Sequence, residues 1–331
     1  MDTRKVLEMG GGTVLISLPK GWAKKNGIVR GSSVAVEEVS ARRLMVKPLG
    51  GGQRGEDEQV VIEYPRESLR QVANDITGAY LMGSNSILVQ GSKVISREDR
   101  SRLKGAVTRL VGLEIVDEDA KRMTLQFLLD PAALDPEKIV RRMASLIGGM
   151  LRDSAEGAKN DRALLALVGE RDDEVDRLYF LLVRTIRTAT IDPEVAERYG
   201  LAPIECLDYR VLASYLESLG DAITDFAKRA SGEAFGQEVV AHLVRFLDTL
   251  EKMADVAVSS FLSRRRVKPE RTHAEVEAMR ERLGELSKGM VGIKGTSTGT
   301  MVDLLALLER VASIIADVSD LALPTYQFRP G

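Results

Sequence analysis

Carboxylates spaced four residues apart are the strongest chemical signal in this sequence. In the segment LESLGDAITD, residues 216–225, the acids Glu217, Asp221 and Asp225 follow one another at intervals of four. Side chains with this spacing lie along one face of a helix. No lysine or arginine stands among them at that spacing, so the carboxylates repel one another. This repulsion predicts a compensating positive charge, either a metal ion or a basic neighbouring helix.

A second acidic pair stands upstream. The run DDEVD at 172–176 places Asp172 and Asp176 four residues apart on another predicted helix. If this helix packs beside the one that carries Glu217 and Asp221, the four side chains form a cage of oxygen ligands. Divalent Fe, Zn, Mn or Mg would suit such a cage. A solvent-exposed acidic run is the alternative. The apolar residues that alternate with Glu217 and Asp221 favour the packed arrangement.

The acidic helix is repeated near the end of the chain. In LERVASIIAD, residues 308–317, Leu, Glu, Ile and Asp stand at the same offsets as in the first segment, which predicts a duplicated helical unit. Glu277 and Glu281 take the place of the DDEVD pair, and Glu309 matches Glu217, but Ser313 replaces Asp221. Because a neutral hydroxyl replaces a carboxylate, we expect a weak or absent metal site in this half. Further candidate ligands are Asp225, Glu277, Glu281 and Glu309.

Composition sets limits on the kind of protein. The chain has 331 residues, 44% of them hydrophobic and 29% charged, which fits a soluble globular protein of two or three domains. Its net charge is −2, but residues 1–48 hold nine Lys/Arg and four Asp/Glu, a local charge of +5. The one cysteine, Cys206, excludes an intramolecular disulfide and is expected to be structural. No apolar run is long enough to span a membrane, so the sequence predicts a cytoplasmic protein that is not membrane-inserted.

The first 48 residues are predicted to form short β-strands around one or two helical turns. Such a small unit cannot bury a core alone, so we expect a homodimer formed through residues 1–48. A glycine-rich linker follows at 50–55. The predicted elements before it are strands at 13–18, 34–38 and 44–47 and a helix at 20–26.

The rest of the chain is predicted as a small α/β domain followed by helices. The α/β elements follow the order βαβαββ, and no phosphate-cradling glycine loop follows a strand, so we expect a connecting or ligand-sensing module rather than a nucleotide site. The fold class is therefore multi-domain and mostly α, and the helices form two three-helix bundles. The predicted domains are 1–49, 56–134 and 135–331, the last with repeats at 135–232 and 233–324. The predicted α/β elements are strands at 59–63, 86–89, 113–116 and 123–129 and helices at 65–82 and 96–112. The predicted later helices are 136–150, 161–188, 208–231, 235–264, 272–288 and 300–323.

The N-terminal segment resembles the SpoVT–AbrB DNA-binding domain. The likeness is carried by the run TVLISLPKGWAKKNGIVRGSSVAVE followed by RRLMVKP. It implies an interlaced, swapped-hairpin β-barrel made by two chains, with a basic face on DNA, where Lys and Arg neutralise phosphates. The alternative is a dimerisation element whose charges are only solvated. The residues assigned to the DNA face are Arg4, Lys5, Lys20, Lys24, Lys25, Arg42 and Arg43.

The helical segment resembles PhoU, a family of phosphate-signalling regulators. The likeness rests on LExxGDxIxxD at 216–225, on DxxxD followed by Arg-Leu at 172–178, and on the repeat. It implies a pair of three-helix bundles that hold divalent metal, with iron and zinc known among the members. The combination of both likenesses resembles an archaeal phosphate-uptake regulator.

Three functions are compatible with these features. The first is a DNA-binding regulator of phosphate uptake with a metal-binding helical body. The second is an adaptor that modulates a phosphate transporter by protein contact. The third is a di-metal enzyme. The Glu-x-x-His pairing of di-iron oxidases is absent from the sequence, so a non-enzymatic role is expected.

Overall fold

The computed structural model describes residues 3–9, 13–40, 43–48, 59–130, 133–263, 269–290, 293 and 297–323. The described residues up to 48 belong to one compact unit, and those from 59 onward belong to a second. The predicted linker at 50–55 lies outside the described residues. No helix in the described part of the chain is long and apolar enough to cross a membrane.

Two antiparallel strand pairs and one short helix make up the N-terminal unit. Strands β1 (Leu7–Met9) and β2 (Thr13–Leu15) pair with each other, and β3 (Val34–Ser40) pairs with β4 (Arg43–Pro48). Helix α1 (Lys20–Lys25) lies between the pairs in the chain. The strand predicted at 13–18 ends already at Leu15. Strand β1 was not predicted, because its three residues are too few to show the alternating pattern of a strand. The dimeric barrel stays a prediction for a pair of chains.

Apolar side chains of this unit face solvent in the single chain. Neither β1, β2 nor α1 contains a buried residue. The unit therefore removes little apolar surface from water by itself. The exposed apolar residues, 42% to 71% accessible, are Val6, Leu7, Met9, Val14, Leu15, Ile16, Val29, Val36 and Leu44.

The second unit begins with a four-stranded sheet and two helices. The elements are β5 (Val60–Tyr64), α2 (Leu69–Leu81), β6 (Ser86–Gly91), α3 (Arg97–Thr108), β7 (Leu113–Glu118) and β8 (Arg122–Phe127). Their order is βαβαββ, as predicted, and the sheet order is β5-β6-β8-β7 with only β5 and β6 parallel. Helix α2 begins at Leu69 rather than at 65, because the Ser68 hydroxyl caps it by accepting from the Gln71 N–H.

Long helices form the rest of the second unit. They are α4 (Pro136–Lys159), α5 (Ala163–Ile191), α6 (Pro193–Arg198), α7 (Pro203–Ser231), α8 (Gln237–Ser263), α9 (Pro269–Met290) and α10 (Thr298–Asp320). Helices α4, α5 and α7 pack on one another, as do α8, α9 and α10, and the two sets meet where α4 contacts α8 and α7 contacts α10. The short α6 was not predicted. It starts because the Asp192 carboxylate accepts from the Glu194 and Val195 N–H groups.

A buried arginine joins the α/β region to α5. Arg184 is only 3% exposed, and its guanidinium donates to the carbonyl oxygens of Tyr80, Gly83 and Ser84 at 2.7–3.2 Å. It also donates to Asn85 Oδ1 at 2.7 Å. The three carbonyls lie at the C-terminal end of α2, where a positive charge is favourable. Gly83 makes this approach possible, since it turns the chain there with a φ of 88°.

The rings of two aromatic residues enclose the same guanidinium. Its central carbon lies 3.8 Å from the centre of the Phe127 ring and 5.0 Å from that of Tyr80. These contacts fix the α/β region on the helix that carries Asp172 and Asp176.

Candidate functional site

The four carboxylates of the predicted cage lie on two helices in contact. Asp172 and Asp176 are on α5, Glu217 and Asp221 are on α7, and these helices pack along much of their length. Buried apolar residues flank each pair, including Val175 on α5 and Leu216 and Leu219 on α7. The Asp221 side chain is exposed, whereas Asp172, Asp176 and Glu217 are half-buried. The cluster therefore lies at the rim of the helix interface, open to solvent on one side.

The acids of this cluster repel one another. Burial raises the pKa of Asp172 from its ordinary 3.8 to about 6, and the charges of Asp221 and Asp176 add to the shift. Burial also raises the pKa of Glu217, again with contributions from Asp221 and Asp176. The pKa of Asp176 is raised by burial, although Arg109 opposes this shift. Burial and the charges of neighbouring acids therefore both disfavour the ionised forms of Asp172 and Glu217.

Gly220 makes the close approach of the two helices possible. A Cβ atom at this position would stand 2.6 Å from Asp172 Oδ1 and 3.4 Å from Val175 Cγ1. The space that a side chain would fill is therefore taken by the Asp172 carboxylate. Asp172 Oδ1 itself is buried and makes no hydrogen bond of normal geometry among the described residues, although the Thr224 side chain lies near the carboxylate and opposes the rise of its pKa.

An arginine from the α/β region reaches the same cluster. Arg109, the C-cap residue directly after α3, donates from Nη2 to Asp176 Oδ2 at 2.7 Å. The side chain of Arg109 is 56% exposed and that of Asp176 is 24% exposed. Sequence reasoning missed this residue, because nothing in the local pattern around 109 points to a partner 67 residues away.

The other candidate ligands lie elsewhere. Asp225 faces Arg310 of α10 at 3.5 Å, and Glu309 accepts from the Ser287 hydroxyl at 2.9 Å. Glu277 lies 3.8 Å from Arg280 on its own helix, and Glu281 is exposed on α9. Within the described ranges, no three His, Cys, Asp or Glu side chains are arranged as a group that could hold a metal ion as they stand.

The residues predicted to contact DNA are exposed where they are described. Lys20, Lys24 and Lys25 lie on α1, and Arg4 and Lys5 lie just before β1. Arg42 lies outside the described residues, and so does the side chain of Arg43, whose backbone begins β4.

Stability should depend on pH through Asp172. Its pKa is higher in the folded chain than in the unfolded chain, so the charged form destabilises the fold above about pH 6 and this penalty disappears as the pH falls toward 4. We expect Asp172→Asn to melt at a higher temperature than the unmodified protein at pH 8 in the presence of EDTA, and this advantage to shrink below pH 6. Asp173→Asn, at the neighbouring position, should show the same trend but a smaller one, because the charge of Asp173 only adds to the raised pKa of Asp172. A gain that is the same at pH 4.5 and pH 8 would contradict the expectation.

Comparison with known proteins connects the acidic cluster to a family. The family model described as PhoU domain matches residues 140–230. The matched segment runs from α4 through α7 and contains both acidic pairs. Neither a curated protein nor a solved structure matches the chain. Residues 140–230 are therefore PhoU-like, and this likeness associates the chain with phosphate regulation.

Proposed function

We propose that this protein is a regulator of phosphate uptake that binds DNA through its N-terminal unit and a divalent cation through its helical region. The observation that supports the role in phosphate regulation is the PhoU domain match over 140–230, which includes Asp172, Asp176, Glu217 and Asp221. The proposed role is regulatory rather than enzymatic. Phosphate-transport components are the partners that follow from this likeness.

The acidic cluster has the chemistry that a divalent cation requires. Carboxylate oxygens are suitable ligands for Mg, Mn, Fe and Zn. The buried Asp172 Oδ1 makes no hydrogen bond of normal geometry among the described residues, and burial together with neighbouring acids raises the pKa of Asp172 and Glu217, so a bound cation would relieve both penalties. Asp172, Asp176, Glu217 and Asp221 would hold it. The cation would brace α5 against α7, and the protein residues would set its position.

The N-terminal unit has the features of a surface that two chains share. Its apolar side chains are exposed in one chain, and a second copy would remove them from water. Each chain carries a charge of +5 over residues 1–48, so a homodimer would present +10. Lys20, Lys24 and Lys25 stand exposed on one short helix, which suits contact with phosphates. The AbrB-like architecture of this unit belongs to the same proposal.

DNA binding should depend strongly on salt and on three lysines. We expect the full chain to bind promoter DNA of phosphate-transport genes, with log affinity falling linearly against log salt concentration. Replacing Lys20, Lys24 and Lys25 with glutamine should weaken binding at least about tenfold. The slope should become shallower by about 0.9 for each phosphate that the variant no longer neutralises. Fluorescence anisotropy across a salt series measures both quantities.

A matched variant separates specific contacts from overall charge. Lys138, Lys159 and Lys228 are exposed on the helical region, so their replacement with glutamine removes the same charge and should leave binding nearly unchanged. Light scattering on the same samples should give the mass of two chains. If the full chain does not bind DNA but still forms this dimer, the N-terminal unit is a dimerisation element. Control of a phosphate transporter by protein contact then becomes the better function.

A further inference from the structure

We propose that the cavity between α4 and α8 binds a small amphipathic anion, a molecule with an apolar chain and one negatively charged head. The cavity has a volume of about 520 Å³ and is partly open to solvent. Small-ligand sites in proteins usually measure about 300–1,000 Å³. Among the described residues, neither the acidic cluster nor the N-terminal unit contributes to its lining, so the proposed ligand requires neither cation binding nor DNA binding.

Small residues leave this space unfilled. Ala144 and Gly148 stand one turn apart on α4, and Ala254 lines the cavity from α8. The buried side chains of Leu216 and Leu219 on α7 form its inner wall. An apolar chain that covers this wall would gain dispersion contacts and leave water, and both effects favour binding.

The cavity is elongated along the two helices. Its lining runs from Arg141 to Arg152 on α4 and from Glu251 to Leu262 on α8, which is about three turns or roughly 16 Å of each helix. Arg152 pairs with Glu251 at one end, which places Arg141 and Leu262 at the other. A long and narrow space of this kind fits an extended alkyl chain better than a compact polar molecule.

The charges at the Arg152 end are balanced. Arg152 and Lys252 are positive there, and Glu251 and Asp255 are negative. Arg152 already holds Glu251 in an ion pair. This end therefore offers no net attraction to a charged head.

The Arg141 end is a donor-rich place without an acid among its described lining residues. Arg141 uses Nε and Nη2 on Glu137 of its own helix, and its Nη1 makes no hydrogen bond within the described ranges. The exposed hydroxyls of Ser145 and Ser259 line the cavity on either side. A guanidinium and two hydroxyls are suitable donors for an anionic head, so we place the head here and the chain toward Leu216 and Leu219.

Three probes with the same chain separate the contributions of the chain and the head. In isothermal titration calorimetry on the full chain, octanoate should bind with a dissociation constant of about 1 mM or below. Octanol and octylammonium should bind at least about fivefold more weakly, because they lack the anionic head. Arg141→Gln should weaken octanoate binding by about threefold to tenfold and remove its advantage over octanol. Arg142→Gln is the matched control, because Arg142 is an exposed arginine that does not line the cavity.

Filling the cavity tests where the chain lies. The side chain of Ala144→Phe should occupy the space over Leu216 and Leu219 and weaken octanoate binding at least about tenfold. Ala278→Phe, at an exposed position of α9, should leave the affinity unchanged. Thermal unfolding of both variants checks that they fold, and Arg141→Gln decides the question if Ala144→Phe does not.

Each unfavourable result overturns a stated part of the inference. If octanoate does not bind, the cavity is not a site for such an anion. If octanoate binds but neither Ala144→Phe nor Arg141→Gln weakens it, the molecule sits elsewhere, for example on the exposed apolar residues of the N-terminal unit. If Ala144→Phe removes binding but octanol binds as tightly as octanoate, the anionic head is wrong. The proposed function is judged separately by the anisotropy experiment.

Discussion

Replacing Arg184 with methionine is expected to lower the free energy of unfolding by about 3–5 kcal/mol. Methionine keeps much of the length of the side chain but removes all four hydrogen bonds to the segment at the end of α2. The carbonyls of Tyr80, Gly83 and Ser84 would then be without a charged donor in a buried place, which is the costly way to break a hydrogen bond. Urea unfolding followed by circular dichroism measures the change in stability. Hydrogen exchange should also show reduced protection at residues 80–85.

Arg187→Met is the matched control for this substitution. Arg187 lies one turn further along α5, is half-buried, and makes a 3.7 Å contact with the Met82 sulfur. We expect its replacement to change the free energy of unfolding by less than about 1 kcal/mol. If the two variants are destabilised equally, or if Arg184→Met stays within about 1 kcal/mol of the unmodified protein, the guanidinium does not hold the α/β region in place.

Gly91→Ala is expected to destabilise the chain by about 3 kcal/mol or more. Gly91 ends β6, and an added Cβ would overlap the Lys93 carbonyl oxygen and stand 2.8 Å from that of Lys121. Both atoms belong to the backbone, so no side-chain rotation relieves the overlap. The Gly91 N–H also donates to the Lys121 oxygen at 2.6 Å, and a shift of the chain would strain that bond. Thermal and urea unfolding measure the effect.

The same change at an open glycine should act in the opposite direction. Gly78 lies in α2 of the same α/β region, and nothing would stand within 4 Å of its Cβ among the described residues. Gly78→Ala should therefore stabilise the protein by up to about 1 kcal/mol, the usual gain of alanine over glycine in a helix. A stabilised Gly91→Ala variant would show that the turn after β6 is free to relax.

Local patterns predicted the parts of the site that lie within single helices. The i, i+4 spacing of Asp172 with Asp176 and of Glu217 with Asp221 placed each pair on one face, and the structure brings the two faces together on α5 and α7. The role of Gly220 could have been inferred, since a glycine inside a helical pattern often marks close packing. Whether the cluster binds metal stays a prediction.

Contacts between distant segments could not be predicted in the same way. Arg109 and Arg184 are ordinary helical arginines in sequence, and their partners lie 67 and about 100 residues away. Such partners depend on the three-dimensional packing of the α/β region on α5, and the spacing of apolar residues along the sequence does not predict that packing. The start of α2 was misplaced for a local reason, because the Ser68 cap outweighed the signal from Pro65.

Asp176 and Arg184 are two of the residues through which α5 contacts the α/β region. These residues are eight positions apart, which is about 12 Å along a helix. The Arg184 side chain is buried and donates four hydrogen bonds to the segment 80–85. The Arg109 side chain is more than half exposed and donates one hydrogen bond to Asp176. If the exposed contact is lost, Arg184 and the neighbouring contact between Arg187 and Met82 still hold the α/β region on α5.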